Sequence, residues 1–401
     1  NNMLGKPKAF GNCKCIGFSG YTNKKAVSGF QCFNIKFAGC VLNALYRSCI
    51  NLKLSIMSCG SNENASRPQT DYLMVFSDDS CHCITYNDTP IFSSDNTNAS
   101  LFYNDIATVQ DANGDWSYIN RKGERKLSGS YQKATVFSEG MAWVIKQGDM
   151  PGAINEKGDI KISLRDNHSV RVFMEGRAAV AIVKKKQILW GFINKDGHEI
   201  VEPEYKTVSD FRLGLAAVQN FDGKWGYINL NGENIIECQY STAYPFNDNG
   251  LAIVKSDNKY LVINREGNTI QTHAYDEMIP DGVWARVRSG KQWGWCDEKG
   301  QTVVAPSFED CRAFGQSDLA PVKIRGKWAY TDRSGKIVIK RQFTEAYPFI
   351  DGCAAVKTGT VWGFIDTKGC FTINPQYDYI SQDYLYQALG LGSSMSTLQI
   401  K

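Results

Sequence analysis

The sequence predicts an all-β protein made of tandem β-hairpin repeats of about 35 residues, arranged as a propeller-like ring, with an open solenoid-like array as the alternative. Three observations predict it. A Trp-led pentad returns at a near-constant interval, other anchors keep a fixed phase with that Trp, and the residues between them have hairpin-turn chemistry.

The pentad is seen in Trp190-Gly191-Phe192-Ile193-Asn194 and again from Trp225, Trp293, Trp328 and Trp362, with an earlier copy from Trp116. The steps from 190 to 225, 293 to 328 and 328 to 362 are 35, 35 and 34, and the 68-residue gap from 225 to 293 holds a worn copy at Tyr260. Two further worn copies fall in frame at Pro151 and Cys81, giving nine Trp-equivalent positions. Thirteen residues after the Trp stands Pro203, Pro306 or Pro375, replaced elsewhere by Cys238, His273 or Arg341, and two later an aromatic such as Tyr205 or Tyr240. Six residues beyond come Phe137, Phe211, Phe246, Phe314 and Phe349, then a Gly-bearing turn and a small-apolar strand such as Leu215-Ala216-Ala217-Val218.

Within a unit, Lys224 to Asn229 alternates in polarity as a half-buried strand does, and Asn234-Ile235-Ile236 begins the next strand. Between them, Asn or Asp at the first turn position and Gly at the fourth recur from Asn194, Asn229, Asn264, Asp332 and Asp366. A short side-chain acceptor caps such a turn, and Gly takes the left-handed conformation that closes it. A unit this small cannot bury both faces alone, so neighbours must stack. The segment Tyr377 to Tyr386 is the piece the first unit lacks, so the C-terminus is expected to complete that blade if the ring closes. Because nine units exceed the usual four to eight blades, either the Cys81 unit is expected to lie outside a ring or the array to stay open.

The Trp-Gly motif with its distal Tyr and Phe resembles the bacterial Trp-Gly β-repeat family, also called KWG repeats, matched by Lys224-Trp225-Gly226 and more loosely elsewhere, over residues 71 to 386. The resemblance implies interaction or envelope roles rather than a reaction, and it brings no catalytic residues. The domain reading is a leader or irregular segment over 1–58, a polar linker over 59–70, the repeat domain over 71–386 and a tail over 387–401.

Composition narrows the function classes. The 401 residues carry 45 Lys and Arg against 41 Asp and Glu, a formal charge of +4, which does not favour a nucleic-acid partner. No apolar run is long enough for a transmembrane helix. The four His (His82, His168, His198, His273) form no His-Glu-x-x-His motif, and no Gly-x-Ser-x-Gly accompanies them, so no catalytic residue, cofactor or metal site is assigned. Cys13/Cys15 and Cys81/Cys83 lack zinc spacing, Asp111 to Asp115 reads as a turn rather than a calcium loop, and Gly390-Leu391-Gly392 is no phosphate cradle. Cys296, Cys311 and Cys353 fill apolar slots, in keeping with a reducing compartment. Leu54 to Cys59, followed by a polar stretch, reads as a lipoprotein cleavage site with Cys59 as lipidation candidate; the corresponding location is the cell envelope, with the cytoplasm as alternative.

The expected function is a non-catalytic scaffold for a protein partner or an envelope glycan; a carbohydrate-binding module and an enzyme with a site at the ring mouth are the alternatives. Because the in-phase Trp set reads as packing between units, contacts are sought where units differ. The candidates are Trp143, Trp284 and Trp295, which lie off the Trp-Gly phase, and Lys184, Lys185 and Lys186, which lengthen one unit into a protruding loop.

Overall fold

The computed structural model describes residues 68–69, 72–77, 80–146, 148–165, 167–315, 317–388 and 396–399. Nine of its small antiparallel sheets are the blades of a β-propeller, numbered here by sequence, and a tenth, two-stranded sheet pairs Pro68–Gln69 with Phe102–Tyr103. Blade 5 shows the plan: an inner strand Thr207–Val208, a second Leu215–Gln219, a third Trp225–Asn229 and an outer Asn234–Tyr240. The second strand is buried along most of its length, whereas the outer strand buries only Ile236 and Tyr240, as expected for a rim edge in water.

The ring closes through the C-terminus. Inner strand Tyr379–Ile380 pairs with Tyr72–Ser77 (Val75↔Ile380), so blade 1 is one strand from the chain's end and three from its start. The Cys81 unit is therefore this closing blade, and the expectation that it lies outside a ring or leaves the array open is corrected. Blade number depends on how each sheet meets its neighbours, and the borrowed strand leaves blade 1 as complete as its siblings. Helix α1 (Gln382–Ala388) follows and locks the seam: buried Asp383 accepts from Leu101 N (2.9 Å) and Tyr103 Oη (3.1 Å), and Ser381 N donates to Met74 O (2.9 Å).

The turns form as their chemistry demands. Asn229 Oδ1 accepts from the amides of Asn231 and Glu233, while Gly232 donates to Asn229 O with φ at +84°. Asp111 makes the same turn with Asn113 and Asp115, which accounts for the acidic stretch there.

The Trp-Gly pair marks a bulge. In blades that carry the Trp, its Cα partner is the aromatic fifteen residues on, as in Trp190↔Tyr205, Trp225↔Tyr240, Trp293↔Phe308, Trp328↔Phe343 and Trp362↔Tyr377. Where the Trp is missing the partner is thirteen on, as in Cys81↔Ser94 and Tyr260↔His273. The two extra residues push outer-strand backbone over the Gly: a Cβ on Gly226 would lie 2.4 Å from Ile236 O, and on Gly191 2.3 Å from Val201 O.

Blades are held to one another by the aromatic two residues after the Trp. Tyr227 lies 4.8 Å from Phe246 of blade 6, Phe192 4.7 Å from Phe211, and Tyr330 4.9 Å from Phe349. The Tyr227 hydroxyl also donates to Tyr244 O (2.7 Å), and that of Tyr330 to Tyr347 O (2.9 Å). At the seam, Tyr384 of α1 takes the role of that Phe, with its ring 5.6 Å from Phe364.

Burial pushes the phenols of Tyr118, Tyr227, Tyr330 and Tyr384 well above their ordinary value near 10. The folded state thus binds these protons more tightly than the unfolded chain, so their stabilisation is full below pH 10 and is lost as pH rises beyond it. Melting temperatures measured from pH 8 to 11.5 are expected to hold level and then fall above pH 10. Phenolate absorbance should show a buried class that ionises only with unfolding; ionisation of every phenol near pH 10 without unfolding would contradict this packing.

Candidate functional site

The repeated residues are consumed by the fold. None of the six in-phase Trp is exposed: Trp328 and Trp362 are buried, while Trp116, Trp190, Trp225 and Trp293 are half-buried. Basic side chains cover several of their faces, with the Arg171 guanidinium 4.7 Å from the Trp190 ring and Arg312 4.3 Å from Trp328. Arg171 and Arg312 also reach into the next blade, donating to Val208 O (2.9 Å) and Ala346 O (2.5 Å).

Trp143 and Trp295, taken from the sequence as contact candidates, are both fully buried, which leaves no surface for a ligand. Trp295 occupies the slot of Tyr227, 5.0 Å from Phe314, and its indole N–H donates to Asp281 Oδ2, which also accepts Phe314 N from the next blade. In blade 3 the sizes are exchanged across the strand pair: Ala217↔Tyr227 of blade 5 corresponds to Trp143↔Ala153, and Trp143 stacks on Phe173 at 5.7 Å. Departing from the repeat consensus here means filling the same hole by another route.

Trp284 is half-buried and lines a groove between blades 6 and 7 with Pro245, Leu251, Met278 and Glu298. One side of its ring meets Phe314 at 5.6 Å and Arg333 lies 4.8 Å from its centroid, so much of the indole is already engaged.

Lys184, Lys185 and Lys186 are exposed at the tip of a hairpin unlike its siblings. In blade 4 the second and third strands, Arg177–Lys184 and Gln187–Asn194, are eight residues each. Three cross-strand pairs lie beyond the Trp pair, Ile182↔Leu189, Val183↔Ile188 and Lys184↔Gln187, against one in blades 6, 7, 8 and 9. Two extra pairs extend this finger by about 7 Å. The turn places Lys185 (φ 52°) and Lys186 (φ 65°) in left-handed conformations, at a cost of about 1 kcal/mol each. The corresponding turn of blade 6 uses Asp257 and Asn258, residue types that tolerate this conformation better.

The finger has a feature that sequence reasoning missed. Val183 and Ile188 face each other across it and are 46% and 54% exposed, an apolar pair directly beneath three cations. Their alternation within apolar runs looks like core strand in the sequence; only the hairpin's extra length, visible as ten residues from Val180 to Trp190, signals that they project beyond the sheet.

Other chemistry is sparse among the described residues. Burial pushes the Cys81 and Cys296 thiols up to about 12, far from nucleophilic thiolate. Among these residues no group of three or more His, Cys, Asp or Glu is placed to hold a metal, and no helix is long and apolar enough to cross a membrane. His273 packs on Gly300, and burial lowers its pKa. Cys59, the lipidation candidate, lies outside the described residues.

Six stretches of the chain, 116–148, 190–225, 225–260, 293–328, 330–359 and 362–383, match the family model for the WG containing repeat. Comparison with curated proteins gives no match. Among solved structures, a eukaryotic initiation factor is 11% identical over 71% of this chain and 88% of that chain, with a TM-score of 0.50. BamB from Moraxella catarrhalis is 10% identical over 74% and 95%, with a TM-score of 0.37. Apo AztD from Citrobacter koseri is 13% identical over 69% and 94%, with a TM-score of 0.40. At these identities the likeness is one of fold alone.

Proposed function

We propose that this chain, which belongs to the WG-repeat family, is a non-catalytic interaction propeller that grips an acidic protein partner with the finger of blade 4. The observation that carries the reading is the finger itself: two exposed apolar side chains under three lysines, on a hairpin that runs two cross-strand pairs beyond those of blades 6 to 9. An apolar contact ringed by charge gives affinity through burial and steering through the field. The strained Lys-Lys turn supports the same reading, since Asn-Gly would close the hairpin at lower cost. A protein partner is favoured over a glycan because Trp284, the candidate stacking platform, already packs against Arg333 and Phe314.

The test compares the full chain with the Lys184→Glu/Lys185→Glu/Lys186→Glu variant as bait in extracts of the source cells. All three side chains are solvated, so the melting temperature is expected to shift by no more than about 2 °C. Partners recovered by the wild type at 50 mM salt should drop at least tenfold with the variant, and should also fall as salt rises. Equal recovery by both baits would overturn the assignment to the finger.

A further inference from the structure

The inner edge of blade 4 carries a strand that no other blade carries among the described residues. Thr397–Gln399 pairs antiparallel with the inner strand Asn167–Arg171, with Ser169↔Gln399, Val170↔Leu398 and Arg171↔Thr397 in register, making a five-stranded sheet. Val172 N donates to Ser396 O (2.8 Å). Hydrogen-bonded pairs alternate along an antiparallel ladder, so this bond places the Val170–Leu398 pair in the hydrogen-bonded frame.

Blade 4 is suited to this and its siblings are not. Inner strands have two residues in most blades, too few to template another strand. Blade 7 has a five-residue inner strand, Glu277–Asp281, but it contains Pro280, which has no amide to donate and blunts an edge. Asn167–Arg171 is equally long and free of proline. The axis has room as well. Nine sheets about 10 Å apart give a mid-blade radius of about 14 Å, and half of a four-stranded blade takes about 7 Å, leaving inner strands about 7 Å from the axis.

We propose that the inner edge of blade 4 is an acceptor site for an extended partner peptide added as a fifth strand, and that the chain's own Ser396–Gln399 is a cis competitor for it. The pairing spans only three residues, so its opening is cheap compared with unfolding a blade. Recognition is through main-chain hydrogen bonds, so the ligand class is an unstructured segment without proline at the paired positions. The site lies at the ring axis and makes no use of the finger.

The experiment uses the full chain and the synthetic hexapeptide Ser-Thr-Leu-Gln-Ile-Lys, the sequence of residues 396–401, labelled at its N-terminus. Leu398→Pro in the protein removes the tail's central amide donor and should free the edge, so anisotropy is expected to show the peptide binding this variant at least tenfold more tightly than the wild type. A control peptide with proline at the leucine should bind neither. Equal binding to both proteins, or none to a Leu398→Pro chain that melts like the wild type, overturns the proposal. Should the variant melt lower, full-length wild type titrated with millimolar peptide provides the second measurement: amide exchange at Val170 and Val172 that stays unchanged at saturation would also overturn it. Dimers of wild type that dissociate on Leu398→Pro would show the tail exchanged between copies and would overturn its role in cis.

Discussion

A chain ended at Asp378 is expected to lose its cooperative unfolding transition and to aggregate. That cut removes the inner strand of blade 1 and helix α1, which contribute Ile380, Tyr384 and Ala388 to a core cluster that includes residues of blades 1 and 9. Burying the two large side chains is worth about 2–3 kcal/mol each, and the hydrogen bonds of Ser381 and Asp383 about 1–2 kcal/mol each. The sum approaches the whole stability of an ordinary domain, 5–15 kcal/mol. Asp383→Ala is the finer probe. It leaves the buried Leu101 amide without its acceptor and should cost about 3 kcal/mol, read as a lower urea midpoint with the m-value kept. An Asp383→Ala midpoint equal to wild type would show that the seam is held by other contacts.

The second large effect is expected at the bulge. Gly226→Val puts a Cβ 2.4 Å from Ile236 O and 2.8 Å from Cys238 N, backbone atoms that cannot rotate away. Either the outer strand of blade 5 slips to the thirteen-residue register of the Trp-less blades, or the blade loosens. We expect at least 3 kcal/mol of destabilisation, with Gly226→Ala costing less because Ala329 stands at this position in blade 8, where the register shift persists. Chemical denaturation measures both, and a Val variant within 0.5 kcal/mol of wild type would refute the account of why Gly follows Trp.

The repeat period, the turns and the completion of blade 1 by the C-terminus were legible because each is written locally: Asn229 and Gly232 sit three residues apart, and the first unit visibly lacks a strand. The closed ring of nine was not, since it depends on how adjacent sheets meet. The same limit hid α1's seam contacts and the strand at Thr397–Gln399, which join residues some 230 to 300 positions apart. Of the candidate site, the lysines stood out as an insertion against the period. Trp143 and Trp295 misled for a physical reason: both fill the common interblade hole, Trp295 from the slot of Tyr227 and Trp143 from the facing strand opposite Ala153.

The pairing of Val75 with Ile380 also sets a timetable for synthesis. At about 5–20 residues per second, a ribosome needs roughly 15–60 s to make the intervening chain. Through that interval the nascent N-terminal sheet presents an unpaired edge, so newborn molecules need shielding from one another, by dilution on the polysome or by a chaperone, until the strand that completes it emerges.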